Sequence, residues 1–323
     1  MRFVVYGAGG IGGVLGARLF ENGNDAFLIA RGAHGETIQR DGLRVESPDG
    51  TTTVRVPAAT HPSDLDWRED DVVLLAMKSQ DTEPALVDLV PLVDHRIAVV
   101  SLQNGVANER MMLRHFHNVY GVCVMCPTTY LEPGVVQANS TPNTGILDIG
   151  RYPNGTDDTA IAIASAFSAS TYVSEARPDI MRWKHQKLLM NLGNIIEAAC
   201  GPSARAGELA TRARAEGIAV LQAAGIDYAS DEEDRERRGE LLRMRPIDGQ
   251  RRGGGSTWQS LARGATSLET DYLNGEIVLL GRLHGVATPV NAMLQHLAYE
   301  LAASGAVPGS MDADDVLARL EMA

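Results

Sequence analysis

A lysine and two asparagines in the stretch WKHQKLLMNLGN, residues 183–194, have the spacing of a polar stripe on an apolar helix. At about 100° per residue, Asn191 lies about 40° and Asn194 about 20° around the axis from Lys187. An ammonium can donate a proton to an oxygen that gains negative charge, and amides can hydrogen-bond that oxygen or its neighbours. The stripe is therefore a candidate catalytic or anion-binding group. The alternative is a lysine whose stem packs on the apolar face while its charge reaches water.

A second candidate site is the glycine-rich turn in VVYGAGGIGG. Gly7, Gly9 and Gly12 form GxGxxG between a strand-like run and a helix-like run, with a second strand ending near Ala30. Glycines allow a tight turn and close approach of a pyrophosphate, which amides at a helix N-terminus, here Gly10 and Ile11, can hold. The context of the motif favours dinucleotide binding over a purely structural turn.

Arg31 ends the second strand, in FLIARG, where a protein that binds NAD usually has an acidic residue. An arginine can pair with the 2′-phosphate that distinguishes NADP from NAD. The sequence therefore predicts NADP(H), and the alternative for Arg31 is a solvated loop residue.

Two further polar residues follow predicted strands. Lys78 ends the third strand in LLAMKSQDT, and Asn104 with Gly105 ends the fourth in SLQNGVAN. Ligands of open α/β sheets bind beyond the carboxyl ends of the strands, so both side chains are expected near the nicotinamide. The alternatives are a surface lysine and an asparagine that stabilises a turn before glycine.

The elements that position these residues form two successive patterns. Short β-branched strand runs alternate with helical runs up to about residue 176, as in a parallel sheet with crossover helices. The runs GVVQANS and GILDIGR are predicted to form an antiparallel extension across the turn STPNTG. Long helical periodicities follow, and helices are predicted over residues 178–199, 203–224, 231–244, 256–284 and 288–303. We predict two domains, 1–176 and 177–323.

Composition limits the partners. The chain has 323 residues, a net charge of −12, and the 44% hydrophobic and 22% charged content of a soluble globular protein. A nucleic acid or an anionic membrane surface would need an electropositive face, and no run is long enough to span a bilayer, so neither is expected. The three cysteines are interpreted as buried free thiols rather than a redox pair or half a zinc site, and the histidines lack metal-ligand spacing. We expect a cytoplasmic location and no metal.

The chain resembles a known family through motifs spread over nearly its whole length. These are GAGGIGG, the Lys78 strand end, the NG pair at 104–105, PGVV, KLLMN, LETDYLNG and HGVATPVN. Together and in this order they resemble the ketopantoate reductases, NADP-dependent 2-oxoacid reductases of the 6-phosphogluconate dehydrogenase-like group. The resemblance implies an α/β Rossmann domain followed by an all-α C-terminal domain, a homodimer, and an active site between the domains.

The resemblance also implies residue roles. Lys187 corresponds to the general acid, Asn191 to the amide beside it, and Glu269 to the carboxylate that positions the lysine. Asn104 corresponds to an asparagine near the nicotinamide ribose and the substrate, and Lys78 to a lysine of the cofactor site. For Glu269 the alternative is a solvent-facing carboxylate on a helix.

The chain departs from the family pattern at three positions, all expected to act in substrate recognition. Thr257 stands where the family has a serine, although Ser256 is adjacent, and Thr257 has the alternative of a helix N-cap. Ile195 replaces a second asparagine, with Asn194 one residue earlier, and Gly254 lies in a glycine run where the family often has an asparagine.

These features predict reduction of a small 2-oxo acid, with ketopantoate as the leading substrate. The alternatives are an opine- or β-hydroxyacid-type dehydrogenase acting on another ketone, and a non-catalytic NADP(H)-binding sensor.

Overall fold

Residues 1–321 are described in this computed structural model. Twelve strands occur in this part of the chain, and they are β1 (Arg2–Tyr6), β2 (Ala26–Ile29), β3 (Leu43–Ser47), β4 (Gly50–Val54), β5 (Ala58–Ala59), β6 (Asp71–Leu75), β7 (Ala98–Ser101), β8 (Asn118–Met125), β9 (Thr128–Thr129), β10 (Val135–Ala138), β11 (Gly145–Arg151) and β12 (Tyr172–Val173).

The main sheet has eight strands in the order β12-β11-β8-β7-β6-β1-β2-β5. Its strands pair in parallel except for β8 and β11, which are antiparallel. All five residues of β6 are buried, as the continuous apolar run predicts for a strand covered on both faces. The chain order reverses beside β1, so the carboxyl ends of β1 and β6 flank the crevice where α/β sheets bind ligands.

A smaller sheet has the order β4-β3-β10-β9. Its hairpin β3–β4 is absent from the sequence predictions, because β4 is mostly exposed and lacks an apolar run. The predicted pairing of GVVQANS with GILDIGR is wrong, since β10 lies in this sheet and β11 in the main one. The connecting loop bonds to other segments instead: the Asn139 amide donates to Pro127 and the Thr144 amide to Thr171. The other part of that prediction is confirmed, because β11 extends the main sheet by antiparallel pairing with β8.

Thirteen α-helices occur in the described residues, and they are α1 (Gly10–Glu21), α2 (Gly32–Asp41), α3 (Thr82–Leu89), α4 (Asn108–Leu113), α5 (Asp158–Ala169), α6 (Ile180–Asn191), α7 (Asn194–Cys200), α8 (Glu208–Ala223), α9 (Asp231–Arg238), α10 (Ser256–Ala262), α11 (Asn274–His284), α12 (Pro289–Ser304) and α13 (Ala313–Glu321). Short 3₁₀ turns include Ser79–Asp81 and Glu269–Tyr272.

Four predicted helices are shorter than expected, and the one over 203–224 begins only at Glu208, after a 3₁₀ turn over Pro202–Ala206. The predicted helix over 256–284 ends at Ala262, where Gly264 has a φ of +72°, and helix resumes only at α11. Gly239, with a φ of +40°, ends α9 before residue 244. The predicted helix over 178–199 breaks at Leu192–Gly193 into α6 and α7. Left-handed glycines end helices because only glycine adopts this conformation without strain.

The chain packs as two compact units. The first comprises Met1–Lys184 with Ser230–Arg252, and the second comprises His185–Ala229 with Gly253–Ala323. The first contains both sheets and the second is helical, so an α/β domain precedes a largely helical one. The packing boundary falls within α6, later than residue 176, and the segment around α9 packs with the sheets. Bidentate pairs hold it there, Arg182 with Glu233 and Arg237 with Asp148.

Candidate functional site

The glycine turn joins β1 to α1, as the sequence predicts. Gly7 has a φ of +103°, and a Cβ at this position would lie 2.7 Å from the Met77 backbone nitrogen. A Cβ at Gly12 would lie 2.2 Å from the Gly7 carbonyl oxygen. Two of the three motif glycines are therefore required by the packing of the turn itself.

The third motif glycine has a different environment. Gly9 precedes α1 with a φ of −68°, and the nearest atom to a Cβ there is Tyr130 Cδ1, at 3.9 Å. The first turn of α1 carries no acidic residue and no side-chain cap. The first amides of a helix have no partner within the helix, so those of Gly10, Ile11 and Gly12 point toward an approaching anion. The space around Gly9, at the start of this helix, is open apart from Tyr130.

His34 supports this turn from α2. Its buried ring donates from Nε2 to the Ala8 carbonyl oxygen at 2.7 Å, and its Nδ1 accepts from the Gly134 amide at 2.8 Å. Because Nδ1 accepts a hydrogen bond, the ring is neutral with its proton on Nε2. Burial lowers the pKa of His34 from 6.5. His34 is not among the residues predicted from the sequence, since a single histidine in a helix carries no positional signal.

Arg31 directly precedes α2 and lies two residues beyond the end of β2. Its side chain is 80% exposed, and its Nη2 donates to Asp81 Oδ1 at 2.8 Å. This hydrogen bond raises the pKa of Arg31 further above its usual value. The guanidinium therefore lies at the surface near the carboxyl end of β2, paired on one side with a carboxylate.

Lys78 and Asn104 follow β6 and β7, and a buried polar network joins their two loops. Gln103 Nε2 donates to the Met77 carbonyl at 3.0 Å and to Thr82 Oγ1 at 2.8 Å. Asn108 Nδ2 donates to Ser79 Oγ at 3.0 Å and to the Asn104 carbonyl at 3.1 Å. The structure thus brings the Lys78 loop and the Asn104 loop together.

A buried ion pair holds the same network. Lys184 Nζ lies 2.7 Å from Glu109 Oε1, and the two side chains are 2% and 0% exposed. Lys184 also donates to the carbonyls of Gln103 at 2.9 Å and Val122 at 3.2 Å. Lys184, unlike Lys187, is not predicted from the sequence, because burial on α6 cannot be recognised from its weakly amphipathic sequence.

In the second unit, the helical stripe that motivated the first prediction is interrupted. Asn191 ends α6, and Asn194 begins α7 after the break at Leu192–Gly193. The angle that places Asn194 about 20° from Lys187 assumes one continuous helix, so that argument is wrong. Both asparagines are buried, whereas Lys187 is half-buried.

Glu269 is also buried, at 5% exposure, in the 3₁₀ turn before α11. The alternative of a solvent-facing helix carboxylate is therefore wrong. Ser256 and Thr257 are the first two residues of α10, and the N-cap is Gly255, so Thr257 is not the cap. Glu197 holds this helix start, because its Oε1 accepts the Gly255 amide at 2.9 Å while Oε2 accepts from Arg205 at 2.5 Å.

A second buried network lies behind the helix break. Asn274 Nδ2 donates to the Leu192 carbonyl at 3.1 Å and to Asn291 Oδ1 at 3.0 Å. Asn291 donates in turn to the Ala213 carbonyl and to Glu216, each within 2.9 Å. Asn274 and Asn291 belong to the motifs LETDYLNG and HGVATPVN, and their contacts give those motifs a structural role in positioning the segment between Asn191 and Asn194.

Three further features of the described residues concern metal binding, the cysteines and membrane spans. No group of three or more His, Cys, Asp or Glu side chains in residues 1–321 is placed to hold a metal ion. Cys123, Cys126 and Cys200 are free thiols, but only Cys123 is buried, so the expectation of buried thiols is wrong for Cys126 and Cys200. None of the described helices α1–α13 has the length and apolar character needed to cross a bilayer.

Both parts of the chain match models of one protein family. Residues 3–154 match Ketopantoate reductase PanE/ApbA, and residues 179–302 match Ketopantoate reductase PanE/ApbA C terminal. The 2-dehydropantoate 2-reductase of Halobacterium salinarum is 32% identical over 317 residues, which cover 92% of this chain and 97% of that protein. The 2-dehydropantoate 2-reductase of Pyrococcus horikoshii is 28% identical over 302 residues, covering 91% and 95%.

Solved structures share the fold. A PanE/ApbA family ketopantoate reductase from Ralstonia eutropha superposes with a TM-score of 0.78 at 28% identity, covering 94% of this chain and 99% of that one. D-mandelate dehydrogenase in complex with NADH and anilino(oxo)acetate superposes with a TM-score of 0.80 at 22% identity, covering 94% of this chain and 99% of that one. At this identity the match shows a shared fold alone. From the two family matches and the full-length relatives, this chain belongs to the ketopantoate reductase family of nicotinamide-dependent oxidoreductases.

Proposed function

We propose that this chain reduces a small 2-oxo acid with NADPH, and that 2-dehydropantoate is the leading substrate. The observation that carries the proposal is the presence of Lys187, Asn191 and Glu269, with the latter two buried, in a chain that matches both family models. The relatives named as 2-dehydropantoate 2-reductases support the choice of substrate.

In this proposal the first unit holds the cofactor. The amides of Gly10, Ile11 and Gly12 bind the pyrophosphate, and the space in front of Gly9 admits it. A Cβ at Gly9 would fill that space, so the absence of a side chain at this position fits the binding of a dinucleotide. Gly7 keeps the turn tight.

The remaining cofactor contacts come from loops at the carboxyl ends of the strands. Arg31 binds the 2′-phosphate of NADPH, because its exposed guanidinium lies beyond the end of β2. Lys78 and Asn104, whose loops are joined by the Gln103 and Asn108 network, contact the nicotinamide end. When bound, the reduced nicotinamide supplies a hydride to the carbonyl carbon of the substrate.

Protonation is proposed to come from the second unit. Lys187 donates a proton to the carbonyl oxygen as that oxygen gains negative charge, which completes the conversion of ketone to alcohol. Glu269 positions the lysine, and Asn191 donates a hydrogen bond to the substrate. A general acid of this kind contributes about 10²- to 10⁴-fold in rate.

Substrate choice is assigned to Asn194, Ser256 and Thr257, together with Asn104 and Asn191. Glu197 fixes the start of α10, which carries Ser256 and Thr257, and the Asn274 contact fixes the backbone beside Asn194. These side chains offer neutral hydrogen bonds to a carboxylate that the Lys187 ammonium attracts.

One contact favours a second candidate, a related dehydrogenase acting on another 2-oxo acid. A Cβ at Gly254 would lie 2.5 Å from Cγ of Trp258. An asparagine of the family pattern therefore cannot occupy position 254 unless Trp258 moves, and the glycine run packs against an indole instead. A substrate bound beside this surface meets an apolar ring where the family pattern offers an amide.

The test is a panel of 2-oxo acids assayed by loss of NADPH absorbance. The panel contains 2-dehydropantoate, short alkyl 2-oxo acids and an aryl 2-oxo acid. The highest kcat/KM for 2-dehydropantoate supports the leading substrate, and the highest value for another member supports the second candidate. Tight NADPH binding without oxidation by any member indicates a non-catalytic sensor. A homodimer, expected from the family resemblance, and a cytoplasmic location, expected from the sequence itself, complete the proposal.

A further inference from the structure

The carboxylate of Asp81 lies against the guanidinium proposed to select the cofactor. Arg31 Nη2 and Asp81 Oδ1 are 2.8 Å apart, although the residues come from loops after different strands. Asp81 closes the 3₁₀ turn that begins beyond Lys78, and its amide donates to the Lys78 carbonyl at 2.8 Å. The backbone of that loop therefore holds the carboxylate at the same edge of the sheet as Arg31.

The orientation of Asp81 is unusual for its position. It is the N-cap residue of α3, where an aspartate side chain ordinarily accepts hydrogen bonds from the second or third helical amide. Asp81 makes no such capping bond, and its carboxylate pairs with Arg31 instead. A stabilising local interaction is thus replaced by one with a residue 50 positions away in sequence.

A carboxylate at this point has opposite effects on the two cofactors. The 2′-phosphate of NADPH carries up to two negative charges, which Asp81 repels while it occupies part of the guanidinium. The 2′-hydroxyl of NADH can donate a hydrogen bond to a carboxylate, which is the interaction that acidic residues provide in NAD sites. Arg31 therefore favours NADPH, and Asp81 opposes that preference.

We infer that Asp81 is a specificity-determining residue that limits the preference for NADPH, so that the site accepts both NADPH and NADH. This inference rests on the proposed binding of a nicotinamide dinucleotide at the glycine turn. It assigns the Arg31–Asp81 pair a role in cofactor selection rather than in stability, since an exposed ion pair of this kind contributes little to folding.

The test measures dissociation constants for NADPH and NADH separately, by fluorescence titration without substrate, on the wild type and Asp81→Asn. The substitution keeps the size of the side chain and removes its charge. The control is Asp25→Asn, which removes the same charge from an exposed aspartate that pairs with Arg68 just before β2, at the opposite end of that strand.

We expect the wild type to bind both cofactors, with affinities within about tenfold of each other. Asp81→Asn should raise the preference for NADPH by about three- to tenfold, mainly through tighter NADPH binding, as removal of a like charge near a phosphate predicts. Asp25→Asn should leave the ratio within about twofold of the wild-type value, because screening weakens charges at that distance.

An unchanged or lower NADPH preference in Asp81→Asn, or a wild-type preference above about 100-fold, would overturn the inference while leaving the proposed function intact. If neither the wild type nor the variants bind either dinucleotide, the proposed function itself fails, and the inference fails with it. Asp81→Ala, titrated in the same way, must shift the ratio in the same direction as Asp81→Asn.

Discussion

The side-chain amide of Asn274 hydrogen-bonds the carbonyl oxygen of Leu192, at the break between α6 and α7. Leu192 lies between Asn191 and Asn194, so this contact fixes the backbone that carries two proposed substrate ligands. Asn291 continues the network to Glu216 and Ala213. Two motif asparagines thus act by positioning other groups.

Asn274→Ala is therefore expected to lower the free energy of unfolding by about 1–3 kcal/mol, because Asn291 and the Leu192 carbonyl lose a buried partner. We also expect kcat/KM for the 2-oxo acid to fall while the Kd for NADPH stays unchanged, since the cofactor is assigned to the first unit. Urea unfolding and steady-state kinetics measure these effects. Asn154→Ala, at an exposed loop asparagine, is the control. Wild-type stability and kinetics in Asn274→Ala would show that the network does not position the site.

Lys184 and Lys187 lie three residues apart on α6, and their substitution should affect the stability of the protein to different extents. Lys184→Met leaves the Glu109 carboxylate buried without its cation, so the free energy of unfolding should fall by about 3–5 kcal/mol. The double variant Lys184→Met/Glu109→Leu should recover much of that loss, since both charges are removed. Lys187→Ala should lose less stability than Lys184→Met, because Lys187 is only half-buried. Equal stabilities of Lys184→Met and Lys187→Ala in urea would contradict this assignment.

The sequence predicts the central strands of the main sheet well, because strands buried on both faces appear as continuous apolar runs. It fails for β3 and β4, which are partly exposed, and for the ends of α9 and α10, which depend on left-handed glycines. The family resemblance points to Lys187 and Glu269, and their roles stay a prediction. The sequence cannot distinguish Lys184 as the buried ion-paired lysine, because its partner Glu109 is 75 residues away in sequence and only the fold brings them together.

His34 predicts a pH effect on the glycine turn. Its pKa is lowered from 6.5 in the folded state, so below about pH 6.5 the unfolded chain binds more protons at this residue. The free energy of unfolding should therefore fall as the pH drops, by up to about 1.4 kcal/mol per pH unit, until the folded-state pKa is reached. Protonation also removes the acceptor for the Gly134 amide.

His34→Gln can retain both hydrogen bonds without titrating, so we expect its stability to fall less than that of the wild type between about pH 7.5 and 5.5. Urea unfolding at the two pH values gives the comparison. His284→Gln replaces an exposed histidine and should behave as the wild type does. Parallel loss of stability in His34→Gln and the wild type would refute this role.

Substitutions at two glycines of the motif should distinguish a role in packing from a role in cofactor binding. Gly12→Ala places a Cβ 2.2 Å from the Gly7 carbonyl oxygen, so we expect a clear loss of thermal stability. Gly9→Ala meets only Tyr130, at 3.9 Å, and should fold with a Tm close to that of the wild type. It should nevertheless weaken NADPH binding by at least about tenfold, because the new methyl group occupies the space proposed for the pyrophosphate. Thermal unfolding and NADPH titration check both outcomes, and Gly9→Ala with wild-type affinity would place the cofactor elsewhere.

The central claim concerns hydride transfer to a 2-oxo acid with Lys187 as the proton donor. The most direct measurement compares the wild type with Lys187→Ala, by NADPH titration and by NADPH oxidation with the best substrate of the panel. We predict a Kd for NADPH within about twofold of the wild type and a loss of at least about 100-fold in kcat. Near wild-type turnover in Lys187→Ala, or no oxidation of NADPH by the wild type with any 2-oxo acid, would contradict it.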